Sequence, residues 1–124
     1  MNLIIGGAFQ GKLDYAKETY GFTDEDIYRC RGCEIDFSKP CIYEIEEFIL
    51  ACIHEEEDPI VYFKHHWEDW RQSTLICADM SCGVVPLGAD MRKWRQVTGQ
   101  LCQFLSREAS SVTRIFCGLE QKLK

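Results

Sequence analysis

Short apolar runs alternate along this chain with longer stretches in which apolar residues recur every three or four positions. Leu3, Ile4 and Ile5 form the first run, which ends in Gly6 and Gly7. Leu13, Ala16 and Tyr20 follow at helical spacing until Gly21, a residue that readily takes the left-handed conformation ending a helix. This opening predicts strand, turn, helix. Residues 22–39 carry Thr23, Asp24, Gly32 and Ser38 without a period, followed by Pro40, and predict a loop.

Ile42, Ile45, Phe48, Ile49, Cys52 and Ile53 then repeat at helical intervals with acids between them, up to the run Glu55, Glu56, Glu57, Asp58. The pattern predicts an amphipathic helix whose acids face solvent. Beyond Pro59, the steps Ile60, Phe63, Trp67, Trp70 predict a second helix, with the tryptophans as core or interface anchors. The residues from Thr74 to Ala78 form an apolar run of strand length before Asp79. Residues 90–109 place Met91, Trp94, Val97, Leu101, Phe104 and Leu105 on one helical stripe, the longest in the chain. Val112, Ile115, Phe116 and Cys117 close the pattern as a strand ended by Gly118.

Strands separated by helices require crossover connections, and crossovers give a parallel sheet covered on both faces. The predicted class is therefore α/β, a three-layer parallel sheet flanked by helices. At 124 residues the chain has the length of one domain, 1–124.

Charge narrows the partners. A net charge of −6 argues against nucleic acid, because binding a polyphosphate backbone needs a dense basic surface. Residues 41–70 hold nine acids and one base, whereas residues 71–124 hold eight bases and four acids. An anionic ligand is thus expected near the C-terminal half, with Lys12 beside it. The first ten residues carry no basic region, and no stretch reaches membrane-spanning length. The expectation is a cytoplasmic protein with no membrane partner and with its eight cysteines reduced. Cys30 and Cys33 have the spacing of half a zinc site, but no second pair accompanies them, so they read as buried or idle thiols. His54, His65 and His66 have no serine or cysteine at motif spacing, which leaves a hydrolase triad without support.

The chemistry concentrates in the first turn. Gly6, Gly7, Ala8, Phe9, Gln10, Gly11 and Lys12 match G-x-x-x-x-G-K, the spacing of a phosphate-binding P-loop, between a buried strand and a helix. Glycines let successive amides face a phosphate, the helix N-terminus adds positive potential, and Lys12 reaches the terminal phosphates. Leu13 stands where the motif has a hydroxyl residue for magnesium. The same residues would also serve as a plain strand-to-helix turn with an exposed lysine. Asp79, at the end of a predicted strand, is placed to hold magnesium, or to cap a turn. Arg92 and Arg95, with Lys93, start the long helix, where an anion would offset their opposition to the helix dipole. A solvated basic face is the other reading.

From Ile76 onward the chain resembles the adenosylcobinamide kinase/guanylyltransferase family of cobalamin biosynthesis. The resemblance runs through Ala78, Asp79, Met80 and Ser81, then Gly83, Val84, Val85 and Pro86, then Arg92, Arg95, Gly99, Gln100 and Gln103, and ends on Gly118, Leu119 and Lys124. The turn at residues 6–12 resembles that family's phosphate loop. It implies a P-loop NTPase-like fold, ATP or GTP with Mg2+, and transfer of the γ-phosphoryl group to the alcohol of adenosylcobinamide. It also implies a homo-oligomer. Lys12 and Asp79 would be catalytic, Asp79 would hold the metal, and residues 6–13 with Arg92 and Arg95 would bind the nucleotide. Leu13, Asp79, Gln100 and Cys102 depart from the family's residues, and the chain is shorter in the middle. No histidine here is assigned as guanylyl acceptor, so the implied activity is the kinase step. A non-catalytic nucleotide-binding protein is the alternative.

Overall fold

The first apolar run becomes β1 (Asn2–Gly6), the hub of a six-stranded sheet. The computed structural model of the chain describes residues 1–79 and 88–124. The segment with Met80, Ser81, Gly83, Val84, Val85 and Pro86, on which part of the resemblance rests, lies outside the described residues, as does Cys82. β1 leads into α1 (Lys12–Tyr20), which Gly21 ends in the left-handed conformation, its amide donating to the Lys17 carbonyl. Thereafter come β2 (Ile27–Arg29), β3 (Cys41–Tyr43), α2 (Ile45–His54), α3 (Pro59–His65), α4 (Trp67–Trp70), β4 (Thr74–Ala78), α5 (Ala89–Glu108), β5 (Ser111–Phe116) and β6 (Leu119–Lys122).

The strands lie in the order β2-β3-β4-β1-β5-β6, and every pairing is parallel except that of β5 with β6. The class is α/β, with helices on both faces. On one face α1 packs Ala16 against Ile4, Cys41, Ile76 and Ile115. The other face is thicker: Leu3, Ile42, Leu75 and Val112 meet Phe48 and Ile49 of α2, Phe63 of α3, and Leu101 and Leu105 of α5. The alternation Leu3, Ile4 in β1 thus sends successive side chains to opposite layers, as a pleated strand must. Trp70 is fully buried, and its indole N–H donates to the Phe63 carbonyl over 2.6 Å, which satisfies its polar atom inside the core.

Four predicted boundaries need correction. The stretch 22–39 is not all loop: a 3-10 turn (Asp24–Asp26), closed by the Thr23 and Asp26 capping box, leads into β2. The helix predicted from Ile42 begins at Ile45, because Cys41, Ile42 and Tyr43 pair as β3. Glu44 takes φ 60°, ψ 48° between them, a left-handed conformation that no helix passes through. Ile42 and Ile45 kept the three-residue spacing only because strand end and helix start face the same core. The 59–70 helix breaks at His66, which ends α3 and starts α4. The last strand is followed by another: Cys117 and Gly118 both have positive φ, 52° and 75°, the signature of a tight hairpin turn. β6 is exposed throughout and carries no apolar period, so nothing in its pattern announced it.

Candidate functional site

In a parallel sheet all strand ends point one way, and here the register brings the chemistry to one edge. Gly6 is aligned with Ala78 of β4 and Ile115 of β5. The segments leaving these three strands therefore share that edge: the turn 7–11, Asp79, and the Cys117, Gly118 hairpin corner. The Asp79 amide donates to the Gly6 carbonyl at 2.7 Å, so Asp79 lies directly beside the start of the turn.

Close packing fixes the turn. A Cβ on Gly6 would sit 2.6 Å from the Ile115 carbonyl oxygen, a backbone atom held in the sheet, so only glycine fits. Gly7 continues the turn, Ala8 and Phe9 form its exposed tip, and Phe9 adopts φ 59°. Gln10 ties the turn to the neighbouring hairpin. Its carbonyl accepts from the Gly118 amide at 2.9 Å, and its side-chain oxygen accepts from the Cys117 amide. Gly11 caps α1 in the left-handed conformation, φ 91°, without a side-chain cap. The first amides of α1 are therefore left to an outside acceptor.

Lys12 folds back over the turn, its Nζ donating to the Gly7 carbonyl at 2.7 Å, and the residue is buried. Burial lowers its pKa, and the nearby Glu46 carboxylate works in the opposite direction. Leu13 packs against the α1-face cluster, so position 13 gives an apolar contact and no metal ligand.

Glu46 is the residue that periodicity misplaced. It was expected on a solvated helix face. Instead its Oε1 accepts from the Ala78 amide at 2.9 Å, and burial raises its pKa against the pull of that bond and of Lys12. Recognising β3 would have found it, because Glu46 lies in the first turn of the helix that leaves the same sheet edge. The indole of Trp94 donates to the Glu46 carbonyl at 2.7 Å and locks α5 to α2 here.

Arg92 and Arg95 stand on the first turns of α5 and line, with Asp79, a cavity of about 950 Å³. The turn 6–13 and Asp79 thus share one edge, and Arg92 and Arg95 meet Asp79 along the cavity, whose described lining includes no residue of the turn. Thr98, in the same cavity wall, was not anticipated.

Among the described residues no group of three or more His, Cys, Asp or Glu is arranged to hold a metal, and no helix is long and apolar enough to cross a membrane. Magnesium entering on nucleotide phosphates needs only one or two carboxylates besides them. Of the two positions expected to serve it, Asp79 carries a carboxylate and Leu13 carries no ligand atom. The seven described cysteines are free. Burial raises the Cys41 and Cys52 thiols to about 12, and Cys117 is exposed.

No protein family and no curated protein matches the chain.

Proposed function

We propose that the chain is a P-loop NTPase-like protein that binds ATP or GTP at the turn 6–12. One observation carries this reading: a glycine-built turn between the central strand and an uncapped helix, with a buried lysine folded across it. A lysine in that position has lost water and holds one carbonyl, so a phosphate offers it a better partner.

The proposal extends to phosphoryl transfer. An alcohol oxygen would bond to the γ-phosphorus as the bond to the β,γ-bridging oxygen breaks. The nucleoside diphosphate would leave with that electron pair and the alcohol proton would pass to water. Lys12, Arg92 and Arg95 would spread the phosphoryl charge, which is most of what such a reaction asks of a protein. Mg2+ held by Asp79 would neutralise the β- and γ-phosphates when bound. The resemblance supplies adenosylcobinamide as acceptor, a homo-oligomeric state and, with free thiols, a reducing cytoplasmic setting.

Leu13 favours a second reading, a nucleotide-binding protein without catalysis, because its side chain is committed to the apolar layer. Calorimetric titration with ATP and GTP, with and without magnesium, tests the first claim. Wild type should bind and Lys12→Ala should weaken binding at least about tenfold. Absence of binding at millimolar nucleotide would end both readings. Transfer of label from γ-labelled nucleotide to cobinamide separates them: binding without transfer leaves only the second.

A further inference from the structure

One end of the sheet is covered by no described element. β6 is the outer strand beyond β5, and all four of its residues are exposed. Leu123 donates its amide to the Val112 carbonyl at 2.8 Å, and in an antiparallel pair residues bonded inward alternate with residues whose N–H and C=O point outward. Counting back in twos, Gln121 and Leu119 bond to β5, whereas Glu120 and Lys122 turn their backbone groups to the outside. This outward row is closed at both ends. The Gly118 amide is taken by the Gln10 carbonyl, and the Lys124 amide by the Val112 carbonyl.

Such an edge is a template for another strand, and its two faces say which one. Residues opposite each other in a ladder share a face. Glu120 and Lys122 lie opposite Ile115 and Thr113. On that side Tyr15 of α1 donates its hydroxyl to Glu120 Oε2 at 2.7 Å, and Lys122 Nζ stands 3.8 Å from the same oxygen. Leu119, Gln121 and Leu123 share the other face with Phe116 and Val112. There Phe116, Leu119 and Leu123 are 59%, 72% and 52% exposed, so large apolar side chains gather along this fringe.

A second copy of β6 fits this edge in one register. A two-fold axis pairs identical edges antiparallel. With the axis at Gln121, Glu120 faces Lys122 of the second copy, and Lys122 faces its Glu120. Both bonded positions then fall on outward backbone groups and carry opposite charges. Leu119 faces Leu123 in both halves, and Gln121 faces itself. An axis at Glu120 would set acid against acid and call on the Gly118 amide. An axis at Lys122 would set lysine against lysine and call on the Lys124 amide. Both amides are already bonded. An axis between residues would oppose outward groups to inward ones.

We propose that the chain self-associates by antiparallel pairing of β6 with β6 of a second copy, centred on Gln121, which joins the two six-stranded sheets into one. The inference rests on β6 alone; neither nucleotide binding nor the family resemblance enters it. Few residues pair, so the dimer belongs at the weak end of protein interfaces and forms between about 10 μM and about 1 mM.

Sedimentation equilibrium of the full reduced chain should show monomer passing to dimer over that range. Glu120→Lys and Lys122→Glu each place like charges opposite one another and should each weaken association about tenfold, whereas the double substitution should restore it. Lys122→Pro removes an outward amide that β5 does not use, so it should abolish the dimer while the urea midpoint at low micromolar concentration stays near wild type. Disulfide trapping reads the register. In a Cys117→Ser parent, whose own dimer band sets the background, cysteines placed singly at positions 119–123 and treated with oxidised glutathione should crosslink best at Gln121, which meets itself on the axis.

A chain that stays monomeric at about 1 mM overturns the proposal. So does a dimer untouched by Lys122→Pro, a double substitution that fails to restore association, or a crosslinking maximum anywhere but position 121. ATP titration keeps the two claims apart: failure of ATP binding leaves the dimer standing, and a monomer that binds ATP sinks the dimer alone.

Discussion

Replacing Gly6 by alanine tests the geometry on which the turn at residues 6–12 depends. The added Cβ would lie 2.6 Å from the Ile115 carbonyl oxygen and 3.3 Å from Lys12 Cγ. The lysine stem can shift, but the carbonyl belongs to the strand pairing between β1 and β5, where Gly6 is aligned with Ile115. Relief therefore means moving β1 or β5, and overpacking of this sort costs about 1–3 kcal/mol, with a backbone clash at the upper end. At about 3 kcal/mol and a urea m-value of about 2 kcal/mol/M, the midpoint should fall by about 1.5 M. Gly7→Ala is the matched control. Its Cβ meets nothing closer than Gln10 Cγ at 3.6 Å, an ordinary contact, so its stability should stay within about 0.5 kcal/mol of wild type. Urea denaturation of both variants, followed by far-UV circular dichroism, decides the matter. Equal midpoints for Gly6→Ala and Gly7→Ala would refute the claim that close approach to β5 dictates the glycine.

Two further perturbations probe the same edge. Phe9 is fully exposed at φ 59°, an expensive conformation for a bulky residue, so Phe9→Gly should stabilise the chain by about 1 kcal/mol in thermal unfolding; a loss would mean that the ring makes a compensating contact. Glu46 has a pKa above its ordinary 4.5, first because of burial, so the folded state holds its proton more tightly than the unfolded one. The stability it contributes is complete below pH 4.5 and is lost as pH rises through the folded value, so Glu46→Gln should flatten the stability curve in that window. An unchanged curve from urea midpoints across pH 4–7 would contradict the burial.

How much of this was legible depends on whether a residue's neighbours in sequence are also its neighbours in space. β1, α1, β4, α5 and β5 were readable because each has one period and a clear stop, such as Gly21 after α1. The turn at residues 6–12 was readable for the same reason, as a local motif. β3 escaped because Ile42 and Ile45 mimic a helical step across a strand-to-helix junction, and the break lies in the backbone of Glu44, a residue type that does not announce positive φ. β6 escaped because an exposed edge strand has no buried face to impose alternation. Glu46 and Thr98 escaped because their meaning lies in what surrounds them. One acid among several on a helix and one threonine in a long helix look unremarkable until the fold buries them. Gln10 gains its role only when the β5–β6 corner arrives beside it.

The violations of local rules are not scattered. Among the described residues, Phe9, Glu44, Glu56 and Cys117 are the non-glycines with positive φ. Glu56 follows α2, whereas the other three lie where β1, β3 and β5 leave the sheet. A buried lysine and a buried carboxylate whose proton is held tightly gather at the same edge, where α1 and α2 both start without a side-chain cap. On the α3 side of the core, Asp58 caps α3 and Trp70 reaches the Phe63 carbonyl. Each violation lowers stability, and nothing in the packing of the two apolar layers requires any of them. An edge assembled only to close the sheet would have apolar residues at positions 12 and 46. A ligand would remedy what this edge lacks: a phosphate would accept from the uncapped amides of α1 and pair with Lys12. Concentrated cost at one end of the sheet is therefore itself an argument that this end binds something.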